Sequence, residues 1–139
     1  EIPLFFFSHR LLKRWGAPGV LMIALGANVI RLAAFAVMPD AWAVLPITLL
    51  HGFAFSAMWA AGVTYAGDLA PAGMGAPAQG FFSGVKMGLG AASGALIGGL
   101  LYDLAGPRIM YGVIAVAIAA AMVVFWLAET MRARRVAAP

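Results

Sequence analysis

The sequence predicts an all-α membrane protein, a polytopic bundle of transmembrane helices. Three observations predict it. Of the 139 residues, 64% are hydrophobic and only 10% are charged, against about 25% charged in a typical soluble domain. Apolar runs close to the ~20 residues that cross a bilayer recur along the chain. Those runs lack the alternation of a barrel strand, so only helices fit them. The chain contains no cysteine, so nothing points to a disulfide framework or a thiolate metal site. The net charge of +4 is not a nucleic-acid patch, because the basic residues cluster at span ends.

The elements follow in order. Glu1–Ser8 reads as the last turns of a helix that begins upstream, since an apolar run starts at once, without the basic start of a signal peptide. On that basis the chain is expected to be a piece of a larger membrane protein. His9–Gly16 is a basic connector. Pro18–Val37 is a full span, broken only by Asn28 and Arg31. Met38–Trp42 is a turn with Pro39 and Asp40. Ala43–Tyr65 is the next span and carries His51. Gly67–Ala78, rich in Gly, Pro and Ala, reads as a loop. Gln79–Leu104 is a long helix, Tyr102–Arg108 a turn, and Ile109–Ala128 an almost purely apolar span. Glu129–Pro139 is a polar, basic tail.

Lysines and arginines orient the bundle. Arg10, Lys13 and Arg14 share a side with Arg132, Arg134 and Arg135, whereas the other side has only Arg108. The positive-inside rule therefore makes the first connector and the C-terminus cytoplasmic. The protein is expected to be an integral, multi-pass protein of the plasma (inner) membrane. Trp15, Trp42, Tyr102 and Trp126 fall near span ends, where aromatic belts form.

Four ionisable residues lie inside spans: Glu1, Arg31, His51 and Lys86. An arginine at a helix centre costs roughly 2.5–3.5 kcal/mol on insertion scales, so such residues are expected to be paired or hydrated. Arg31 could form a static pair with Glu1, Lys86 could snorkel to the interface, and His51 could be a packing residue. Taken together, four on successive spans predict a polar pathway at the membrane midplane. Phe55 and Trp59 follow His51 at helical spacing and would wall an apolar or aromatic part of a solute.

The Gln79–Leu104 helix has two expected faces. At about 100° per residue, Gln79, Ser83, Lys86, Gly90 and Ser93 share one stripe. Gly80, Gly84, Gly88 and Gly98 fall near the opposite side, with Gly94 added to that set as a packing position. Glycines let a neighbouring helix approach closely in a membrane. We therefore expect glycines against a packed helix and the polar stripe against a cavity.

These residues resemble the C-terminal half of a major facilitator superfamily transporter, from the end of the eighth span to the twelfth and a cytoplasmic tail (1–139). In that family the connector after the eighth span carries a degenerate Gly-x-x-x-Asp-Arg-x-Gly motif. Here Arg14-x-Gly16 keeps its end, while His9 and Lys13 replace the glycine and aspartate. The series Glu1, Arg31, His51, Lys86, one per span, is similar to the lactose-permease-like branch. Glu1-Ile2-Pro3, Arg14-Trp15, Leu50-His51-Gly52 and the Tyr102 region look closer still to the phenylpropionate permeases. The resemblance implies secondary active transport of a small organic solute, such as an aromatic carboxylate, by proton-coupled symport and alternating access. It implies no enzymatic activity and no cofactor or metal, only a proton as coupling ion. It gives Glu1 substrate or proton contact, Arg31 the tuning of a carboxylate, His51 a hydrogen bond across the site, and Lys86 an aspartate partner on the seventh span. One departure is clear: the branch has a proton-bearing glutamate one turn after the histidine, where this chain has Ala54. That leaves Glu1 as the candidate proton carrier.

The expected partners are the lipid bilayer, a small-molecule solute and the N-terminal half of the same protein, with no nucleic acid. Competing readings are a sugar or nucleoside symporter, a non-transporting membrane fragment, and a membrane enzyme. The last would use Ser93 in Gly90-Ala91-Ala92-Ser93-Gly94, which resembles a rhomboid-type serine turn, with His51 as base. There Ala91 stands where the first glycine belongs, and the histidine precedes the serine.

Overall fold

The computed structural model describes the backbone of residues 2–38 and 40–137, and the side chains of 10–135 apart from Pro39 and Ala41. It is all-helical. The elements are α1 (Ile2–Val37), a short 3₁₀ turn (Ala41–Ala43), α2 (Val44–Leu69), α3 (Gly75–Gly84), a π-helical segment (Val85–Gly90) and α4 (Ala91–Ala137). Three stretches are long and apolar enough to cross a membrane: Arg10–Val37, Val44–Leu69 and Gly75–Arg135.

Two glycines divide the longest helices. Gly16 has φ 67° and Gly106 has φ 78°. This left-handed backbone strains any residue with a Cβ. Pro18 and Pro107 follow, each pre-set for the first turn of a new helix. The second stretches of α1 and α4 therefore start afresh. Side-chain contacts fix the directions. His51 meets Arg31, and Phe35 stacks near Tyr111 with ring centroids 5.1 Å apart. At the other end Tyr65 meets Phe125 edge-on at 5.6 Å, and its hydroxyl donates to Glu129. Residues 17–37 thus run antiparallel to α2, and the second part of α4 runs parallel to α2. Residues 79–86 run antiparallel to α2, Gln79 lying on Gly67, Phe82 on Gly62 and Lys86 over Trp59.

Several boundaries differ from expectation. The basic connector His9–Gly16 is helical up to the Gly16 break, and Tyr102–Arg108 is helical on both sides of Gly106. A single left-handed glycine does the work assigned to each connector. α2 runs on to Leu69 and α3 starts at Gly75, so the loop shrinks to 70–74. Gly and Pro density suggested a longer break, but Pro77 sits in the first turn of α3, where it costs no hydrogen bond. The polar tail stays helical to Ala137.

The core consists mostly of alanine. Ala17, Ala24, Ala27, Ala54, Ala57, Ala61 and Ala115 are buried, with Val20, Leu21 and Leu32. Small residues let helix backbones approach closely where lipid offers no hydrophobic drive for association. Buried Ser56 satisfies its hydroxyl within α2, donating to the Gly52 carbonyl at 2.6 Å. Large apolar side chains point outwards, Leu104 at 83% and Leu49 at 78% exposure. That surface is suited to lipid and to further helices, not to water.

The five glycines expected to pack meet no neighbour among the described residues. A Cβ added at Gly80, Gly84, Gly88, Gly94 or Gly98 would meet nothing within 4 Å. The glycines that this helix packs against are on α2 instead. A Cβ at Gly62 would lie 2.2 Å from Phe82 Cζ, and one at Gly67 would lie 3.0 Å from Gln79 Nε2. The two faces of the 75–104 helix are exchanged relative to expectation. The side bearing Gln79 and Lys86 lies on α2, and the glycine side faces away from the described bundle.

Candidate functional site

α2 and α3 pair antiparallel in a simple register. Gln79 rests on Gly67, Phe82 on Gly62, and Lys86 over Trp59 and Phe55. The steps from Gln79 to Phe82 and on to Lys86 are three and four residues, one helical face running from α3 into the π segment. Glycines at 62 and 67 make room for the bulky residues above them, and the register carries Lys86 to the aromatic pair.

Lys86 Nζ lies 4.5 Å from the Trp59 ring centroid and 4.8 Å from that of Phe55. Both distances are within cation–π range, worth about 0.5–2 kcal/mol depending on desolvation. Nζ is buried and has no hydrogen-bond partner among the described residues. Lys86 does not snorkel outwards but is held over the rings. It is the second residue of the π-helical segment. A π segment admits an extra residue per turn and recurs at functional sites.

From Trp59 the site continues as a ladder along α2. Phe55 and Trp59 stack with centroids 6.3 Å apart and planes 19° from parallel. His51 lies one turn earlier, its ring 6.1 Å from Phe55. Arg31 reaches across from α1, with Nη1 2.5 Å from His51 Nδ1. An arginine can only donate, so Nδ1 accepts and the ring proton sits on Nε2. Arg31 Nη2 also donates to Asn28 Oδ1 at 3.2 Å, while Nε is buried without a partner among the described residues. Asn28 is fixed in turn by donating to the Ala24 carbonyl at 3.0 Å.

The structure thus brings Arg31, His51, Phe55, Trp59 and Lys86 into one continuous line between α1, α2 and the π segment. Gln79 lies about two turns from Lys86, against Gly67, and Ser83 is half-buried between them in sequence. Glu1 lies outside the described residues. The expected role of Arg31 beside a carboxylate is not seen among the described residues, where its side-chain partners are His51 and Asn28. The site therefore holds two cations, an imidazole and two aromatic rings. The single ion pair among the described residues is remote: Arg132 to Glu129, 3.8 Å, beside Tyr65.

Asn28 was legible only as a polar interruption of its span. Its spacing of three from Arg31 is the signal for its role. The Tyr65–Glu129 contact joins residues far apart in sequence, and no local pattern announces it. Ser93 donates to the Leu89 carbonyl of its own helix at 2.7 Å and is exposed. It is satisfied locally, as serines in membrane helices often are.

A model of the MFS_1 like family matches residues 1–113. The chain belongs to this family, within the major facilitator superfamily. Among curated relatives, a mouse (Mus musculus) major facilitator superfamily domain-containing protein 6-like is 30% identical over 111 residues, 80% of this chain and 19% of the relative. A maltose permease of Geobacillus stearothermophilus is 31% identical over 103 residues, 74% of this chain and 26% of the permease. The chain spans about a fifth and a quarter of their lengths. No solved structure matches it. As a major facilitator superfamily chain it is an integral, multi-pass membrane protein of a transporter family. Its ladder is half-buried at Arg31, Phe55, Trp59 and Lys86 and exposed at His51.

Proposed function

We propose that this chain supplies the C-terminal half of the binding site of a proton-coupled symporter for a small organic anion with an aromatic body. The observation that supports it is Lys86, a buried ammonium without a hydrogen-bond partner among the described residues, poised over Phe55 and Trp59. A buried charge is costly until paired. A carboxylate would pair with Lys86 while its ring joins the stack, and His51 Nε2–H would offer a second donor.

In this reading the chain is the end of the eighth span and spans nine to twelve, completed by an N-terminal half. Substrate sites in this fold lie between repeats. The basic ends face the cytoplasm of an inner-membrane protein. The lactose-permease-like branch, with the phenylpropionate permeases, supplies the nearest pattern. Because His51 Nδ1 already accepts from Arg31, a carboxylate is the better proton carrier, and Glu1 holds that role. An aspartate on the seventh span is the resting partner of Lys86, displaced or joined by substrate.

A sugar symporter is the second reading. It is favoured by the similarity to a maltose permease and by the Phe55–Trp59 stack, on which a pyranose face could rest. A neutral sugar, however, brings no counter-charge to Lys86.

Transport into proteoliposomes containing the whole transporter tests the proposal. With an acidic exterior, labelled 3-phenylpropionate should accumulate above its equilibrium level, and a protonophore should abolish the accumulation. Glu1→Gln should retain exchange but lose uphill uptake. Accumulation of maltose alone would favour the second reading. Unchanged uphill uptake by Glu1→Gln would remove Glu1 from the coupling step.

A further inference from the structure

A second cavity lies away from the ladder, where α1 breaks at Gly16. It measures about 480 Å³ and is lined by Arg10, Leu11, Arg14, Trp15 and Ile23. The break explains it. Left-handed Gly16 brings Leu11 and Leu12 against the cluster of Val20, Leu21, Ala24, Ala57 and Ala61. A groove remains between the two stretches of α1. Arg10 and Arg14, four residues apart, share one helical face beside it. Both are exposed, and neither pairs with a carboxylate among the described residues.

The groove sits at the basic end of the bundle. Phe125 packs on the same cluster as Leu11, and Arg132 follows two turns later. Trp15, 55% exposed, stands beside the two arginines, as tryptophans do at the headgroup level of a bilayer. A guanidinium binds phosphate oxygens in a bidentate fork. A soluble phosphate would use only the arginines and leave the apolar walls bare. An amphiphile with a phosphate head and a hydrocarbon tail uses both.

We propose that this groove binds one anionic phospholipid from the adjoining leaflet. Arg10 and Arg14 hold its phosphate, and Leu11, Trp15 and Ile23 line the start of an acyl chain. Basic pockets between membrane helices take anionic headgroups by the same physics. The proposal is independent of the transported solute.

Native mass spectrometry of the whole transporter in detergent tests it, with phosphatidylglycerol and phosphatidylcholine offered at equal mole fraction. Phosphatidylglycerol adducts should dominate. Arg10→Gln with Arg14→Gln should lower their occupancy about tenfold, whereas Arg134→Gln with Arg135→Gln should change it little. Ile23→Trp fills the groove while keeping both charges, and should also lower occupancy. It decides the matter if the arginine pair fails to fold. Excess inorganic phosphate should not displace the lipid. Equal retention of phosphatidylcholine, an equal loss on removing Arg134 and Arg135, no loss with Ile23→Trp, or displacement by phosphate would each overturn the proposal.

Discussion

Lys86→Leu should insert at least as well as the native chain and, in the proposed symporter, lose anion uptake by about thirtyfold or more. The two halves of that expectation have different causes. An ammonium inside a span costs a few kcal/mol on insertion, so leucine removes a penalty. In the proposed symporter, uptake would fail because the anion would enter a site without its main counter-charge. Truncating one partner of a buried charge pair costs about 2–5 kcal/mol, or roughly thirtyfold to several thousandfold in binding. Lys86→Arg should keep part of the activity, since the charge survives but a planar fork replaces a point donor. Uptake normalised to membrane-embedded protein separates the two halves. Full uptake by Lys86→Leu would show that the aromatic cation site is structural only.

The second large effect falls on Gly62. Its missing Cβ is where the Phe82 ring tip sits, and an added carbon would lie 2.2 Å from Cζ and 2.8 Å from Cε1. Gly62→Val must push that ring aside, and with it the helix face that continues into the π segment and carries Lys86 one turn further on. Overpacking of this kind costs about 1–3 kcal/mol. The variant should unfold at lower temperature in detergent and transport poorly. Phe82→Ala in the same background should recover much of the stability, because the clash is with a ring tip and not with backbone. Additive losses in the double variant would contradict the register of α2 on α3.

The sequence revealed the spans and the chemistry of the site more readily than the faces of its helices. His51, Phe55 and Trp59 stand at helical spacing on one apolar run, so their ladder was legible before any contact was known. Arg31 and Lys86 stood out because charge is rare in spans. The orientation of the 79–104 helix was not legible. In a membrane bundle both the lipid face and the packed face are apolar, so pattern alone does not say which side meets a neighbour. The glycines at 80, 84, 88, 94 and 98 suggested one side, yet the contacts to α2 run through Gln79, Phe82 and Lys86. The helix partners were equally hidden. Alanines at 24, 57 and 61 form the core, and alanine is too common in such a chain to mark a seam. Connector lengths misled for a local reason. Glycine and proline density signals a loop in soluble chains, but here one left-handed residue at 16 or 106 makes the break.

In the proposed symporter, the Trp59–Phe55–Lys86 site receives an aromatic anion. The chain has four tryptophans, so replacing Trp15, Trp42 and Trp126 with phenylalanine leaves Trp59 as this chain's reporter, with any tryptophan outside the chain replaced likewise. Titrating that variant of the whole transporter with 3-phenylpropionate should give a saturable change in Trp59 emission. The change should vanish in Lys86→Leu and be absent with the neutral alcohol analogue. Unaltered emission throughout the titration, or an equal response without Lys86 or without the carboxylate, would contradict the account.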